Sequence, residues 1–478
     1  MITEWTTKLR YLPYNQWPQS QLDDIKYKIS KSHWRLGYHI QPTTGLLNDP
    51  NGFSYYNNQW HLFYQSFPYG PVHGLKSWDH LTSDDLVHWK DNGIAIYADT
   101  KNDSQGAYSG SAIVSDDQLF IVYTGNVRDE SWVRHPKQIG AVMNENNEIK
   151  KISEPLINEP RAGYTDHFRD PQIIEHDNKF YIILGAQKTD KTGHVLVYEA
   201  DKVTGPWSFK TELHFTNEEM GYMVECPNLV FINNQPVLIF CPQGISKSIL
   251  DYHNIYPNAY VIGESFDWDT FTFINPSKLH NLDDGFDVYA TQAFNSPDGR
   301  ALCVSWIGLP EIEYPTDVEG WAHCYSLVKE LKINNGKLYQ LPVVENKKLE
   351  LNKFTTDKIS AQSKLKINVP ANNDATVSII SDRNDQFKIT FDSKNGKIVV
   401  DRSKFGQNFA QAYGESRLTE VDTNKDITAV LYFDNTVFEL FINDGEKVIT
   451  GRLFPTGTEF FVKSDNADVE SIQLDKIN

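Results

Sequence analysis

The stretch DPNGFSYYNNQWHLFYQ, residues 49–65, decides how the chain is read, because four more segments follow its plan. They are SGSAIVSDDQLFIVYTG from Ser109, DPQIIEHDNKFYIILGAQ from Asp170, ECPNLVFINNQPVLIFCPQG from Glu225 and ATQAFNSPDGRALCVSWIG from Ala290. Each opens on a polar or small residue, alternates apolar and polar positions, and reaches a two-residue turn: Asn57-Asn58, Asp116-Asp117, Asp177-Asn178, Asn233-Asn234 and Asp298-Gly299. A second apolar strand follows each turn, which is the pattern of a β-hairpin.

The starts recur roughly every 60 residues, which suits four short strands and their connections, one blade of a β-propeller. SDDLVHW (83–89), KVTGPWSF (202–209) and SFDWDTFTF (265–273) trail their hairpins at similar distances and are expected as outer strands. The expected fold class is therefore all-β, with a five-bladed β-propeller over residues 36–342. From 343 to 478 the texture changes to short alternating strands such as TVSIIS, QFKITFD, ITAVLYFD and TVFELFIN, which predict a C-terminal β-sandwich. Residues 1–35 read as an N-terminal extension, partly helical, with Ser20 expected to cap QLDDIKYKIS. DSKNGK, 392–397, lacks the ligands of a calcium loop and reads as a hairpin turn.

With 478 residues, 40% hydrophobic and 13% aromatic, the chain can bury a large core. A net charge of −18 repels polyanions, so nucleic acid is not an expected partner, and an anionic ligand needs a local cluster of Lys, Arg or His. No run of about 18 apolar residues occurs, and the first twenty residues lack a signal peptide's apolar run. No membrane association is expected, and the location expected is cytoplasmic. Cys226, Cys241, Cys303 and Cys324 show no CxxC spacing and read as reduced core residues.

Asp49, Asp170 and Glu225 open three of the five repeats. Any one Asp-Pro is ordinary turn chemistry, but acids at equivalent offsets converge on the central channel, where their mutual repulsion argues for catalysis or cation binding. The neighbours Asn48, Gln65, Tyr108, Ser109, Arg169 and Trp306 do not make the oxygen-rich shell that Mg²⁺ or Ca²⁺ wants, and Arg169 beside Asp170 competes with a cation and favours its ionised form. No metal or other cofactor is expected. Glycoside hydrolysis fits better, because it needs one ionised carboxylate and one that keeps its proton. Asp49, near amide donors, suits the first role, and Glu225, in a cluster of negative charge, the second. A non-catalytic sugar-binding propeller is the alternative from another class.

The motifs LLNDPNG (46–52), FYQ (63–65), YSGS (108–111), FRDP (168–171), VECP (224–227) and DVYATQ (287–292) resemble, in order, those of glycoside hydrolase family 32, the β-fructofuranosidase group. FELFINDG, 438–445, resembles its C-terminal sandwich. The resemblance implies a propeller followed by a sandwich and a retaining mechanism. Asp49 matches the nucleophile, Glu225 the acid/base and Asp170 the transition-state stabiliser. The implied substrate-contacting residues are Leu46, Leu47, Asn48, Gln65, Tyr108, Ser109, Arg169, Tyr289 and Trp306. Leu46-Leu47 stand where the family often has Trp-Met, and Val328-Lys329 where Pro-Arg is usual, departures that bear on pocket shape. Among fructosides, the cytoplasmic reading favours sucrose 6-phosphate over sucrose or short fructo-oligosaccharides. A phosphate needs nearby cations, and the candidates are His73, Lys76, Arg128, Arg134, His135 and Lys137. The expected partner is a small fructoside, and the sequence specifies no oligomeric state.

Overall fold

In the computed structural model, which describes residue 2 and residues 4–477, the paired Asn and Asp residues make the expected turns. Residues 1, 3 and 478, at the outer ends of the first and last expected spans, lie outside the described residues. Asn57 and Asn58 have φ of 48° and 59°, Asp116 and Asp117 50° and 56°, Asp177 and Asn178 49° and 58°, and Asn233 and Asn234 51° and 65°. Two consecutive positive φ values give the turn twist that matches paired strands, and Asn and Asp tolerate it best after Gly. Each turn accordingly joins residues directly opposite in register, as Tyr56 faces Gln59 and Ile232 faces Gln235. The fifth turn differs from the expectation. Only Gly299 has positive φ, and the strands stop at Asn295 and resume at Ala301, leaving a longer loop closed by Ser296 N donating to Arg300 O.

The hairpins' first strands, Gly45–Tyr56, Ala107–Ser115, Tyr164–His176, Met223–Ile232 and Val288–Asn295, each begin an antiparallel run of strands, and Trp321–Ala322 adds a parallel pairing to the first of them. These five strands touch one another in sequence order, and the last touches the first. A belt of side-chain to backbone hydrogen bonds closes the cycle. Asn51 Oδ1 accepts from Gly110 N, Ser111 Oγ from Ile173 N, Gln172 Oε1 from Leu229 N, Asn228 Oδ1 from Ala293 N, and Gln292 Oε1 from Phe53 N, at 2.6–3.1 Å. These residues sit two positions after Asp49, Ser109, Asp170, Cys226 and Ala290, so one side chain per repeat satisfies a buried donor of the next sheet. The propeller is held at its axis by this polar ring, and between its sheets by apolar layers such as Phe63, Trp78, Ile121 and Tyr123.

Outside the axis several expectations change. The outer strands of the first and third sheets are Trp89–Ile96 and Ser208–Glu212, so of 83–89 only Trp89 and of 202–209 only the last two residues enter them, and 265–273 folds on itself as a hairpin of Ser265–Asp267 with Thr272–Ile274. Asp267 makes that turn locally by accepting from Asp269 N at 2.9 Å and Thr270 Oγ1 at 2.9 Å, and His280–Asn281 takes the outer place in the fourth sheet. The N-terminal helix spans Gln19–Ile29 with Pro18, not Ser20, at its N-cap, and no side chain caps it. Ser20 lies in its first turn. Trp17, stacked on Tyr69 with ring centroids 4.8 Å apart, fixes the chain just before it. Among the described residues no helix is long and apolar enough to cross a membrane.

Two six-stranded sheets follow the propeller and form the sandwich around Leu365, Ile379, Phe391, Leu431 and Phe438. DSKNGK is the loop of a hairpin whose strands end at Asp392 and resume at Lys397. A buried polar joint ties residues 37–39, just before the first propeller strand, to one sandwich sheet: Asp434 accepts from Gly37 N at 2.6 Å, Tyr38 N at 2.9 Å and His39 Nδ1 at 2.9 Å, while His39 Nε2 meets Glu439 at 3.0 Å. Burial works against charge on His39, but the two carboxylates more than offset it and raise its pKa to about 9.

Candidate active site

Every inner strand carries a register irregularity at the same level. The pairing shifts between Leu47 and Pro50, Ala107 and Gly110, Arg169 and Gln172, Glu225 and Asn228, and Tyr289 and Gln292. A bulge adds a residue, bends the strand and re-aims a side chain. Asp170, Cys226 and Ala290 take left-handed φ of 64°, 47° and 47° at this level. The unusual backbone therefore marks the depth at which the acids enter the channel, and the walls below are Pro50-Asn51 from the first strand and one triplet from each of the other four, round to Ala290-Thr291-Gln292.

The structure corrects the expected equivalence of the three acids. Cys226, not Glu225, stands level with Asp49 and Asp170: its Sγ lies 3.7 Å from Oδ2 of each. Glu225 is one residue earlier on its strand, at the place that Arg169 and Tyr289 occupy on theirs, and it meets both. Its Oε1 accepts from Arg169 Nε at 2.9 Å and Nη2 at 2.6 Å, and its Oε2 from the Tyr289 hydroxyl at 2.6 Å. The three acids thus form two tiers. Cys226 is buried and unpaired like the other three cysteines, but it is a wall of the site rather than only core. Burial, followed by Asp170 and Asp49, raises its thiol well above the usual range, so it remains protonated.

Asp49 is half-buried at the head of a hydrogen-bond network. Asn48 Nδ2 donates to its Oδ1 at 3.0 Å, Gln65 Nε2 to its Oδ2 at 3.5 Å, and the Ser109 hydroxyl also donates to Oδ2. Burial raises its pKa, and the Ser109 and Asn48 donors pull the other way. Neutral Tyr325 and His323 hold the backbone beneath it, through Tyr325 Oη to Asn48 O at 2.7 Å and His323 Nδ1 to Leu47 O at 3.1 Å. His323 is pushed down to about 3 by burial, and the carbonyl it meets assigns its proton to Nδ1. Sequence reasoning missed both, since neither lies in a motif with a recognisable chemical pattern.

Asp170 accepts from Cys226 N at 3.1 Å. Arg169, 4.0 Å away and hydrogen-bonded to Glu225, favours the ionised form of Asp170 as expected, but burial outweighs it. Asp170's pKa is raised, and Glu225 and Asp49 add to the rise. His167, absent from the sequence expectations, places Nδ1 3.1 Å from Arg169 Nη1 and is lowered to about 4 by burial and then by Arg169 and Arg134.

Of the other expected contacts, Trp306 is buried against Tyr289 and its Nε1–H has no partner. The Tyr108 hydroxyl accepts from Asn126 Nδ2 at 3.1 Å. Leu46 and Leu47 depart from the expectation: they are 1% and 0% exposed and lie in the core beneath the site, not on its wall. The six phosphate candidates split. Lys76 is buried and donates to Asn48 Oδ1, within the acid network, and neutral His73 packs 6.0 Å from the Trp306 ring. His135 pairs with Asp129 at 3.0 Å and Lys137 with Asn158 Oδ1 at 2.6 Å. Arg128 and Arg134 face each other across an isolated bridge, and Arg128 Nε and Arg134 Nε and Nη1 are buried without a partner. Burial and then Arg169 lower the Arg134 pKa.

Among the described residues, Asp49, Asp170 and Cys226 form the one group whose ligand atoms converge, within 4.8 Å. Two carboxylates and a protonated thiol, with Lys76 and Arg169 alongside, are a poor donor set for Mg²⁺ or Ca²⁺. The arrangement instead offers an acceptor-only carboxylate in a cradle of donors, a second carboxylate one tier away, and unpartnered cationic N–H groups beside them.

Residues 39–342 match the model of the Glycosyl hydrolases family 32 N-terminal domain, and residues 328–476 that of the Glycosyl hydrolases family 32 C terminal. A sucrose-6-phosphate hydrolase of Pediococcus pentosaceus is 50% identical over 464 residues, covering 95% of this chain and 92% of that one. The structure of sucrose-6-phosphate hydrolase from Lactobacillus gasseri superposes with a TM-score of 0.96 at 44% identity, covering 99% of this chain and 100% of that one. A Bombyx mori GH32 beta-fructofuranosidase mutant in complex with sucrose has a TM-score of 0.83 at 28% identity, covering 97% and 99%. The propeller and sandwich are those of these relatives.

Proposed function

The chain belongs to glycoside hydrolase family 32, and from that premise we propose that it hydrolyses the β-fructofuranosidic bond of sucrose 6-phosphate with retention, releasing fructose and glucose 6-phosphate. Asp49 attacks the anomeric C2 of the fructosyl unit while Glu225 protonates the departing glycosidic oxygen. Glu225 then takes a proton from water, which attacks C2 and frees Asp49. Asp170, one tier below Glu225, accepts from fructose hydroxyls. Trp306 Nε1, Tyr289 and Arg169 supply further polar contacts. The substrate is drawn from sugar phosphorylated during uptake, in the cytoplasm.

The observation that carries the choice of substrate is a pair of half-buried arginines with buried N–H groups that have no partner, Arg134 Nε and Nη1 and Arg128 Nε. A buried guanidinium N–H without a partner is costly, and a phosphate on the leaving glucose satisfies it with charge-assisted bonds. Arg134 lies by Arg169, the partner of Glu225, which is the acid on the leaving-group side. Purified protein is expected to show a kcat/KM for sucrose 6-phosphate ~10²-fold or more above that for sucrose, and Arg134→Met to cut that ratio ~10–100-fold with little change toward sucrose, as expected for one lost charge-assisted contact. Equal or better use of free sucrose by the unaltered protein defeats the assignment and leaves sucrose or short fructo-oligosaccharides as the substrate.

A further inference from the structure

Lys76 lies in the loop between the second and third strands of the first sheet, in a run, PVHGLKSWDH, whose composition suggests a solvated surface. The side chain is instead 3% exposed and its ammonium donates to Asn48 Oδ1. A lysine ammonium has three donors and no acceptor, so the group it meets must present oxygen. That requirement propagates. With its oxygen turned to Lys76, Asn48 has only N–H to offer on its other side, and Nδ2 donates to Asp49 Oδ1 at 3.0 Å and Gln65 Oε1 at 3.2 Å. Gln65 is then also fixed, oxygen toward Asn48 and Nε2 toward Asp49 Oδ2 and Ser109 Oγ. The Ser109 hydroxyl, having accepted from Gln65, gives its proton to Asp49.

We propose that Lys76 is a positioning residue that sets the direction of the Asn48, Gln65 and Ser109 hydrogen bonds, so that all three donate to the Asp49 carboxylate. The inference rests on Asp49 being the nucleophile. An amide is nearly symmetric in shape, and nothing steric prevents Asn48 from turning its oxygen to Asp49. Lys76 makes that orientation unfavourable by leaving a buried cation against an N–H. The location is costly for the lysine: burial lowers its pKa to about 7, partly offset by Asp49. A residue kept there for packing alone needs no charge. Its backbone is independently held, because Lys76 O accepts from Ala107 N at 2.9 Å, so the side chain can be changed without releasing the loop.

The test is Lys76→Met, alone and combined with Asn48→Ala. The charged and titratable groups around the pair are Asp170, Glu225, Cys226 and Tyr325 near Asp49, and His73 and His323 near Lys76. None of these is altered by the substitution. Lys76→Met is expected to lower kcat ~30–100-fold with KM changed less than ~3-fold, since misaligned donors act on the reacting carboxylate. Losing a cation that lowers the Asp49 pKa moves the acid limb of the kcat/KM profile upward by ~1 pH unit. In the Asn48→Ala background the further loss from Lys76→Met should be under ~3-fold, because the lysine then has nothing to orient. If Lys76→Met does not fold, Lys76→Gln is read the same way, since an amide can meet Asn48 either way round. An unchanged kcat and acid limb, or losses that multiply in the double variant, overturn the inference. Asp49→Ala assayed alongside separates the two readings: activity without Asp49 removes the nucleophile, whereas its loss with an indifferent Lys76→Met removes only the positioning role.

Discussion

Asp49→Ala lowers kcat on sucrose 6-phosphate by ~10⁴-fold or more while leaving the protein folded. The size follows from what is removed. Without the carboxylate no covalent fructosyl intermediate forms, and the reaction must await a water at a face that the propeller builds for an acid. The fold survives because Asn48, Gln65 and Ser109 still pair with one another, Asn48 Nδ2 to Gln65 Oε1 at 3.2 Å and Gln65 Nε2 to Ser109 Oγ. Removing one acid from the cluster also relieves repulsion: Asp49 is one of the causes that raise the Asp170 pKa. The thermal midpoint of Asp49→Ala should therefore equal or exceed that of the unaltered protein, and a lowered midpoint alongside the lost activity would assign the loss to misfolding.

Glu225→Gln is the second large effect, and its signature is dependence on the leaving group. Glucose 6-phosphate leaves as a sugar alkoxide unless protonated, so losing the acid should cost ~10³-fold in kcat on sucrose 6-phosphate. β-Fructofuranosyl fluoride needs no proton to leave, so its first step should be nearly unaffected. The second step still lacks its general base, and a burst of fluoride followed by slow turnover is expected. The amide preserves the size of the side chain and one oxygen for Arg169, which now reaches Glu225 at 2.6 and 2.9 Å. Equal losses on both substrates would contradict the acid/base role.

Much of this fold was legible in pairs of residues. Asn57-Asn58, Asp116-Asp117, Asp177-Asn178 and Asn233-Asn234 announce hairpins because few other residues tolerate two consecutive positive φ values. Asp298-Gly299 looked alike but closes a longer loop, since only its glycine takes that conformation. The repeat was legible for the same reason, and with it the convergence of Asp49 and Asp170. Glu225 was placed one tier off because the repeats were matched on their acids; matched on Pro50, Pro171 and Pro227, the place of Asp49 and Asp170 falls to Cys226. The spacing of Cys226-Pro227-Asn228 matches that of Asp49-Pro50-Asn51 and Asp170-Pro171-Gln172, and Cys226 lies beside the two aspartates. Lys76, Leu46 and Leu47 were misread for a different reason. Their burial is set by elements far away in sequence, such as the second sheet that receives the Lys76 carbonyl and the core that encloses Leu47 with Tyr64 and Tyr325.

The two tiers give the site a division of labour. At the lower tier, Asp49 and Asp170 face each other across the protonated Cys226 thiol, whose one S–H lies within reach of either carboxylate. One residue along the strands, Arg169 and Tyr289 hold Glu225, and Arg134 brings a further charge beside them. In the proposed mechanism fructose fits between the tiers and the leaving sugar beyond Glu225. Asp49 then meets C2, Glu225 the glycosidic oxygen and Asp170 the fructose hydroxyls.

The most direct test of this division is to trap the intermediate. Glu225→Gln is incubated with β-fructofuranosyl fluoride, quenched in acid and mapped by peptide mass spectrometry. The account predicts one added fructosyl group, held as an ester on Asp49 in the peptide containing LLNDPNG. An adduct on Asp170, or no adduct during the fluoride burst, would contradict it.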